Sequence, residues 1–400
     1  MHDASGRQAP QGVNAYMPRP RLKIAFVVDR FGHRFGGAEA YGVELMRELA
    51  IDHDITVFAR DYDPACDVQL PFVPVRAWSI LPSWLRVLLF ACRVRRLTRK
   101  GYDVVHSHTN GWSGDIEVVH VTPVRYNWRV RPLSLLKRLS SYISPRVHTY
   151  LWLEKRRVRQ RPAHRTVAVS GLIADQLRQA YGNNRDFPII PPGVTRPVPP
   201  AEGEALRMRV SLGLAPDDYV CLLVARNPLR KGLPTVVKAL ARLPAHYKLL
   251  VVGSNAATRN FVHGSPDYAS LSDRIRLIDE TSDVAPYYLT ADLYVHPTLN
   301  DSFGMAPLEA MSFGLPVILS PAPWCGFAQY VEDGQDVMML DHPENNRQLA
   351  QFIQRMSEDV QWRRRLVQGG SQVVDRHAWS AVAESYLELY GQVLEERRQG

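Results

Sequence analysis

Arg226 and Lys231 stand five residues apart in the loop Arg226-Asn227-Pro228-Leu229-Arg230-Lys231-Gly232, between an apolar run and a helical pattern. Fixed cations on a strand-to-helix loop suit a diphosphate. A solvated basic loop would read the same way. Residues 292–316 (DLYVHPTLNDSFGMAPLEAMSFGLP) end a strand at His296-Pro297, carry Asp301 and Ser302 in a polar loop, and begin a helix after Gly304 with Glu309 inside it. The first N–H groups of a helix lack partners, so Gly304, Met305 and Ala306 are placed to hold an anionic oxygen. Asp301 and Glu309 bracket that anion, where sugar hydroxyls would flank a diphosphate. The alternative is structural: Asp301 or Ser302 caps the helix and Glu309 forms a surface pair.

Such residues need elements to position them. Residues 21–28 (RLKIAFVV) form a short β-branched run, followed by the Gly36-Gly37 loop, a helical pattern over 38–50 and a strand over 55–59. Further short apolar runs at 104–106, 117–121 and 166–169 fit a mostly parallel, doubly wound sheet. The stretch 187–200 (FPIIPPGVTRPVPP) holds six prolines and continues neither a helix nor a central strand. Beyond it a second series of strands is expected at 219–225, 248–252, 275–278, 293–296 and 317–319, with helices between, among them 305–313. The fold class is α/β: two doubly wound Rossmann-like domains facing a cleft. The expected division is a disordered tail over 1–20, a first domain over 21–190, a linker region over 191–215 and a second domain over 216–375. An amphipathic helix within 376–400 is expected to pack back on the first domain. Ligands of such sheets bind at strand carboxyl ends, so the chemistry belongs in the cleft.

Arg226 and Lys231, followed some 70 residues later by Asp301-x7-Glu309 within DSFGMAPLEAMSFGLPV, resemble the donor site of retaining glycosyltransferases of family four, of GT-B fold. Gly36-Gly37-Ala38-Glu39, Val104-Val105-His106-Ser107-His108, His120 at a strand end and Val169-Ser170 fit the same family, and the resemblance covers 21–391. Ile190-Pro191-Pro192-Gly193-Val194 and the neighbourhood of Asp115 look most like lipopolysaccharide-core enzymes. The resemblance implies transfer of a sugar from a nucleotide-diphosphate donor to a hydroxyl of a glycolipid or lipopolysaccharide-core acceptor, with the anomeric configuration kept. It implies that Arg226 and Lys231 stabilise the departing diphosphate and that Glu309 holds the ribose. Asp301 and the 302–306 turn (Ser302, Phe303, Gly304, Met305, Ala306) would contact donor sugar and phosphates. Gly36 and Gly37 would bring bare backbone to the reacting group. His120 would lie near the transferred sugar and, with Asp115, on the acceptor side. His120, Arg226, Lys231 and Asp301 are thus the expected catalytic residues. Asp301 stands where Glu is commoner in the family, and Pro192 where Asn is usual.

No cofactor and no metal are expected, because the two cations take the metal's place. Asp52-His53-Asp54 and Asp61-Tyr62-Asp63 have the spacing of a divalent-ion motif, but both fall at expected turns. The Gly36-Gly37 loop lacks the G-x-G-x-x-G spacing of a nicotinamide site. The four cysteines form no C-x-x-C pair and have no nearby His at metal spacing, and are read as reduced thiols of a cytoplasmic protein.

With 46% hydrophobic and 22% charged residues the chain is globular, and no apolar run approaches the ~18 residues of a membrane span. The formal charge of +9 is local: residues 125–165 hold twelve Lys and Arg against one acid, Glu154, so the remainder is slightly acidic. Residues 83–100 add six cations and no acid. Aromatic and leucine side chains interleave the first of these stretches, a pattern suited to an anionic membrane surface and a lipid-linked acceptor. Peripheral attachment to the cytoplasmic face of the inner membrane is therefore expected. A solvated helix face would leave the same pattern. A nucleotide-sugar epimerase and a nucleic-acid-binding protein are the rival readings; nucleic acid calls for none of Arg226, Lys231, Asp301 and Glu309 at their spacings, and is not expected as a partner.

Overall fold

The computed structural model describes residues 20–78, 80–264, 270–281 and 283–400; the expected tail over 1–20 lies, except for Pro20, outside them. The first sheet contains β1 (Lys23–Val27), β2 (Asp54–Ala59), β3 (Phe72–Pro74), β4 (Val104–Ser107), β5 (Ile116–Val119) and β6 (Arg165–Ala168). The second contains β7 (Tyr219–Val224), β8 (Tyr247–Ser254), β9 (Ile275–Asp279), β10 (Leu293–His296), β11 (Val317–Leu319) and β12 (Met338–Met339). Both are parallel throughout and share one strand order, 3-2-1-4-5-6 in the first and its counterpart 9-8-7-10-11-12 in the second. That is the doubly wound order, whose reversal point falls between β1 and β4 and again between β7 and β10.

Alternate residues of each strand enter different cores. Ile24 and Phe26 pack on one face of the first sheet, Ala25 and Val27 on the other. Cys221 and Leu223 divide from Val220 and Leu222 in the same way. Both faces are covered, which is why these strands read as continuous apolar runs rather than alternating ones.

The last helix, Trp379–Gln399, contributes Trp379, Val382, Ala383, Tyr386, Leu389, Tyr390 and Val393 to the first domain's core. That spacing is one face of a helix, and its tyrosines are tied: Tyr386 to Tyr41 at 2.8 Å and Tyr390 to His106 at 2.5 Å. The chain crosses between domains in two adjacent segments, joined where the Val194 N–H donates to the His377 carbonyl at 2.7 Å. The region expected as linker, 191–215, is extended only as far as its prolines run; past Pro200 it forms a helix, Glu204–Ser211, whose Arg209 binds Asp292 of the second domain at 2.6 Å. Among the described residues no helix is long and apolar enough to cross a membrane.

Candidate active site

The two reversal points face one crevice. Arg226, two residues past β7, reaches the first domain: its terminal nitrogens donate to the carbonyls of Arg34 and Phe35, and it pairs with Glu280 at 2.9 Å. A β-carbon on Gly36 would stand 3.1 Å from Arg226 Nη1 and 2.9 Å from the Glu39 carboxylate, at a φ of +146°. Only glycine permits that approach. Gly37 opens the helix Gly37–Leu49 with Glu39 in its first turn, and a β-carbon on Gly37 would meet nothing within 4 Å; Gly36, Glu39 and Arg226 meet from opposite domains.

Lys231 is seated by the residue after it. Gly232 has φ +91°, and a β-carbon there would lie 2.0 Å from the Pro297 carbonyl oxygen. This contact brings the β7 loop against the β10 loop, where Lys231 Nζ pairs with the Asp301 carboxylate and donates to the Asn300 carbonyl at 3.3 Å. His296, the last residue of β10, lies 3.0 Å from the same carboxylate through Nε2. An ionised carboxylate only accepts, so that nitrogen carries the proton. Burial keeps the imidazole below its ordinary pKa. Burial also opposes charge on Asp301, but the hydrogen bond from His296 and the Lys231 charge outweigh it and hold the carboxyl well below the usual carboxylate range.

Neither Asp301 nor Ser302 caps the helix Met305–Ser312; Gly304 is its N-cap and no side chain accepts from its first turn. The capping alternative is excluded. The preceding turn is fastened from the first domain instead: Ser170 Oγ donates to the Ser302 carbonyl at 2.5 Å, and Phe303 is buried below it. Met305 and Ala306 are half-buried. Glu309 forms no surface pair. The Tyr288 hydroxyl donates to it at 2.9 Å, and burial raises its pKa, which that hydroxyl partly offsets.

His120 follows β5 directly, at the carboxyl end of its sheet. Its ring lies 5.0 Å from Tyr41 and 4.5 Å from His108, and its Nε2 is buried with no hydrogen-bond partner among the described residues. Burial and the charge of Arg157 push its pKa down to about 3, so it is a neutral hydrogen-bonding group. His106 is interior and His108 half-buried, Nε2 to Nε2 at 3.0 Å.

Asp115 requires a correction. It precedes β5 and therefore sits at the amino end of the sheet, away from the crevice; its carboxylate accepts from the Val105 N–H at 2.8 Å and pairs with Arg397 of the last helix. It anchors that helix and has no place on the acceptor side. The two Asp-x-Asp stretches are structural: Asp54 pairs with Arg21 at 2.7 Å, and Asp63 accepts from the Ala65 N–H at 3.1 Å in a turn. Cys66, Cys221 and Cys325 are buried and Cys92 is exposed. Contrary to the sequence reading, Cys66 does have a histidine close by, His33, with Asp67 completing a group within 4.8 Å. Arg47 pairs with both Glu44 and Asp67 and supplies the positive charge there.

His296, Tyr288 and Glu280 were not singled out in the sequence. His296 had a signal, a histidine at a strand end five residues before Asp301. Tyr288 and Glu280 had none, since their partners lie 21 and 54 residues away in the chain.

Two family models match the chain, one described as Glycosyl transferases group 1 over residues 206–373 and one as Glycosyltransferase Family 4 over residues 35–196. A D-inositol 3-phosphate glycosyltransferase of Actinosynnema mirum is 30% identical over 317 residues, 73% of this chain and 72% of that protein. A protein of the same name from Xylanimonas cellulosilytica is 28% identical over 235 residues; the match spans 56% of each, so the chain covers little more than half of that relative. Among solved structures, WaaG, a glycosyltransferase involved in lipopolysaccharide biosynthesis, superposes with a TM-score of 0.76 at 19% identity, over 92% of this chain and 99% of that one. Anabaena HepE in complex with UDP-glucose superposes with a TM-score of 0.71 at 17% identity, over 92% and 99%. At such identities the two superpositions speak for the two-domain fold.

Proposed function

The chain belongs to glycosyltransferase family four, of GT-B fold, and from that premise we propose that it moves a sugar from a nucleotide-diphosphate donor to a hydroxyl of a lipid-linked or lipopolysaccharide-core acceptor, with retention and without a metal. What supports this reading is Lys231 paired with Asp301 four residues before the uncapped start of the Met305–Ser312 helix, and Arg226, on the same loop as Lys231, held against the Gly36 loop of the other domain. As the glycosidic bond breaks, negative charge grows on the leaving diphosphate. Two fixed cations and the open amides of residues 303–306 stabilise it without reorganising, by about 3 kcal/mol for a well-placed donor. Lys231 is shared with Asp301 before the donor arrives, and His296 keeps that carboxylate in place when the ammonium turns to phosphate. The neutral His120, with its unpartnered Nε2, hydrogen-bonds a hydroxyl of the transferred sugar. Retention follows from front-side attack, the leaving phosphate oxygen taking the acceptor's proton. Membership of a glycosyltransferase family argues against the epimerase and nucleic-acid readings.

Glu309 binds the donor ribose through the carboxylate that Tyr288 steadies. Glu309→Ala is expected to lower kcat/KM at least ~100-fold, while Tyr288→Phe, which removes a hydrogen bond and leaves the acid, is expected to cost about 10-fold. Steady-state kinetics on both variants check the order. The donor itself is tested by thermal shift with UDP-, GDP- and ADP-sugars and CMP-sugars. One donor should raise Tm in a concentration-dependent way, with EDTA changing neither the shift nor transfer. No shift with any of them would sink the donor reading.

Attachment to the cytoplasmic face of an anionic membrane is part of the same proposal. The helix Leu135–Ile143 exposes Leu135, Leu136, Leu139 and Ile143 on one side, with Leu136 at 81% and Ile143 at 82% exposure, next to Lys137, Arg138 and Arg146. Seating those side chains in lipid contributes roughly 1 to 3 kcal/mol each, and each neighbouring cation about 1 kcal/mol. Wild type should sediment with phosphatidylglycerol vesicles at physiological salt, and Leu136→Glu with Ile143→Glu should not. Equal sedimentation of both would remove the docking role of this helix.

A further inference from the structure

A cavity of about 930 Å³ lies in the first domain between the final turns of two helices, Pro145–Arg157 and Gly171–Tyr181, and none of its lining residues belongs to the crevice described above. Arg125, Lys155, Arg156, Arg159 and Arg185 reach its wall, and no acid does. Among the described residues none of the five pairs with a carboxylate. Glu154, on the same helix as Lys155 and Arg156, is buried and turned inward, accepting from the backbone N–H groups of Val124 and Arg125 and from the Tyr181 hydroxyl at 2.7 Å.

Two helix carboxyl ends offer about half a negative charge each, and Glu154 offers one. Asp186, exposed beside Arg185, offers another; against five cations, about two positive charges remain uncompensated. Three of the four arginines are also held in place rather than left to wave in solvent. Arg125 lies over the Tyr181 ring at 5.4 Å and donates from Nε to the Ala180 carbonyl at 2.7 Å. Arg185 lies over the same ring at 5.8 Å and donates to the Val158 carbonyl at 2.9 Å. Arg156 stacks on Trp152 at 4.2 Å. Each keeps guanidinium N–H groups free, and such preset forks match phosphate oxygens in pairs.

We propose that this pocket is a second anion site, binding a phosphate group carried by a lipid headgroup or by a soluble phosphorylated molecule. The pocket stands whether or not the Leu135–Ile143 helix enters lipid. The two are linked, however: Arg125 precedes the turn Tyr126–Val130, whose Arg129 donates to Ser141 of that helix at 2.7 Å.

Calorimetric titration of the full chain with inorganic pyrophosphate tests the site. Wild type should show two saturable sites. The triple variant Lys155→Gln, Arg156→Gln, Arg159→Gln changes only exposed side chains, so it should fold, and it should weaken one site by about 10-fold or more. Lys231→Ala should weaken the other. Unchanged affinities and stoichiometry in the folded triple variant would overturn the proposal. Glycerol 3-phosphate and vesicles of phosphatidic acid in phosphatidylcholine then separate the sources, the more effective competitor per phosphate at the pocket identifying lipid or soluble ligand. Competition by neither would also overturn it.

Discussion

Lys231→Ala is expected to lower kcat at least ~100-fold in a protein that remains folded. The ammonium is about a fifth exposed, paired with Asp301 and fastened to the Asn300 carbonyl, so its charge acts in a crevice where water screens it poorly. Losing one such donor to a growing phosphate charge costs about 3 kcal/mol, which is a little over 100-fold in rate. The split between constants is informative. If Lys231 acts on the leaving group, kcat falls; if it only holds the ground-state donor, KM rises alone. Asp301 keeps His296 in the variant but loses the ammonium that offsets its burial, so Tm should fall with the protein still folded, and Lys231→Arg should restore only part of the rate because a guanidinium occupies the space differently. Near-normal turnover by Lys231→Ala would contradict the placement of the diphosphate.

The second large effect concerns acid. His106 and His120 are pushed down to about 3, burial first, with the charge of Arg157 adding at His120 and the cost of placing a second charge beside His120 adding at His106, and His108 is shifted the same way. Their folded pKa values lie below that of an unfolded histidine, about 6.5. The unfolded chain therefore takes up protons below about pH 6.5 while the folded chain does not, and stability present above that pH is lost as pH falls. Glu117 opposes them. Burial raises its pKa to about 7, against the pull of Arg157, so the folded state gains a proton there that the unfolded state lacks. Three histidines against one carboxyl leave a net of about two protons, or roughly 3 kcal/mol per pH unit below pH 6.5. Outside this cluster His164, His296 and His377 are lowered too and steepen the slope, while Glu39, Asp115 and Glu309, raised by burial, offset part of it as Glu117 does. Urea unfolding at pH 7.5, 6.5 and 5.5 checks this. A flat stability across that range would mean that the His106–His108–His120 cluster is open to water.

The inner strands of both sheets were legible because short β-branched runs between glycines, prolines and polar loops admit few other structures, and β10 and β11 occupy the residues expected of them; the edge strands β3 and β12, three and two residues long, were not, being too short to leave a run. What one strand end does for the next was less legible. Asp115 was assigned from family likeness, although it precedes its strand and so belongs at the sheet end that ligands do not visit. The linker ran too far because proline content marks where regular structure stops, not where it resumes; 204–211 is ordinary helix-forming sequence. The partners of Arg226, Asp301 and Glu309 come from other loops, and no local pattern encodes them. Likewise, the basic segment announced its charge, but only packing decided that Leu153 would be interior and Leu136 and Ile143 exposed.

A crystal structure with an intact nucleotide sugar bears most directly on how the crevice works. The diphosphate should lie within hydrogen-bond reach of Lys231 Nζ, of the Arg226 guanidinium and of an amide among residues 303–306, with Glu309 on the ribose. A donor seated elsewhere, leaving Lys231 paired with Asp301 and the start of the Met305–Ser312 helix bare, would contradict it.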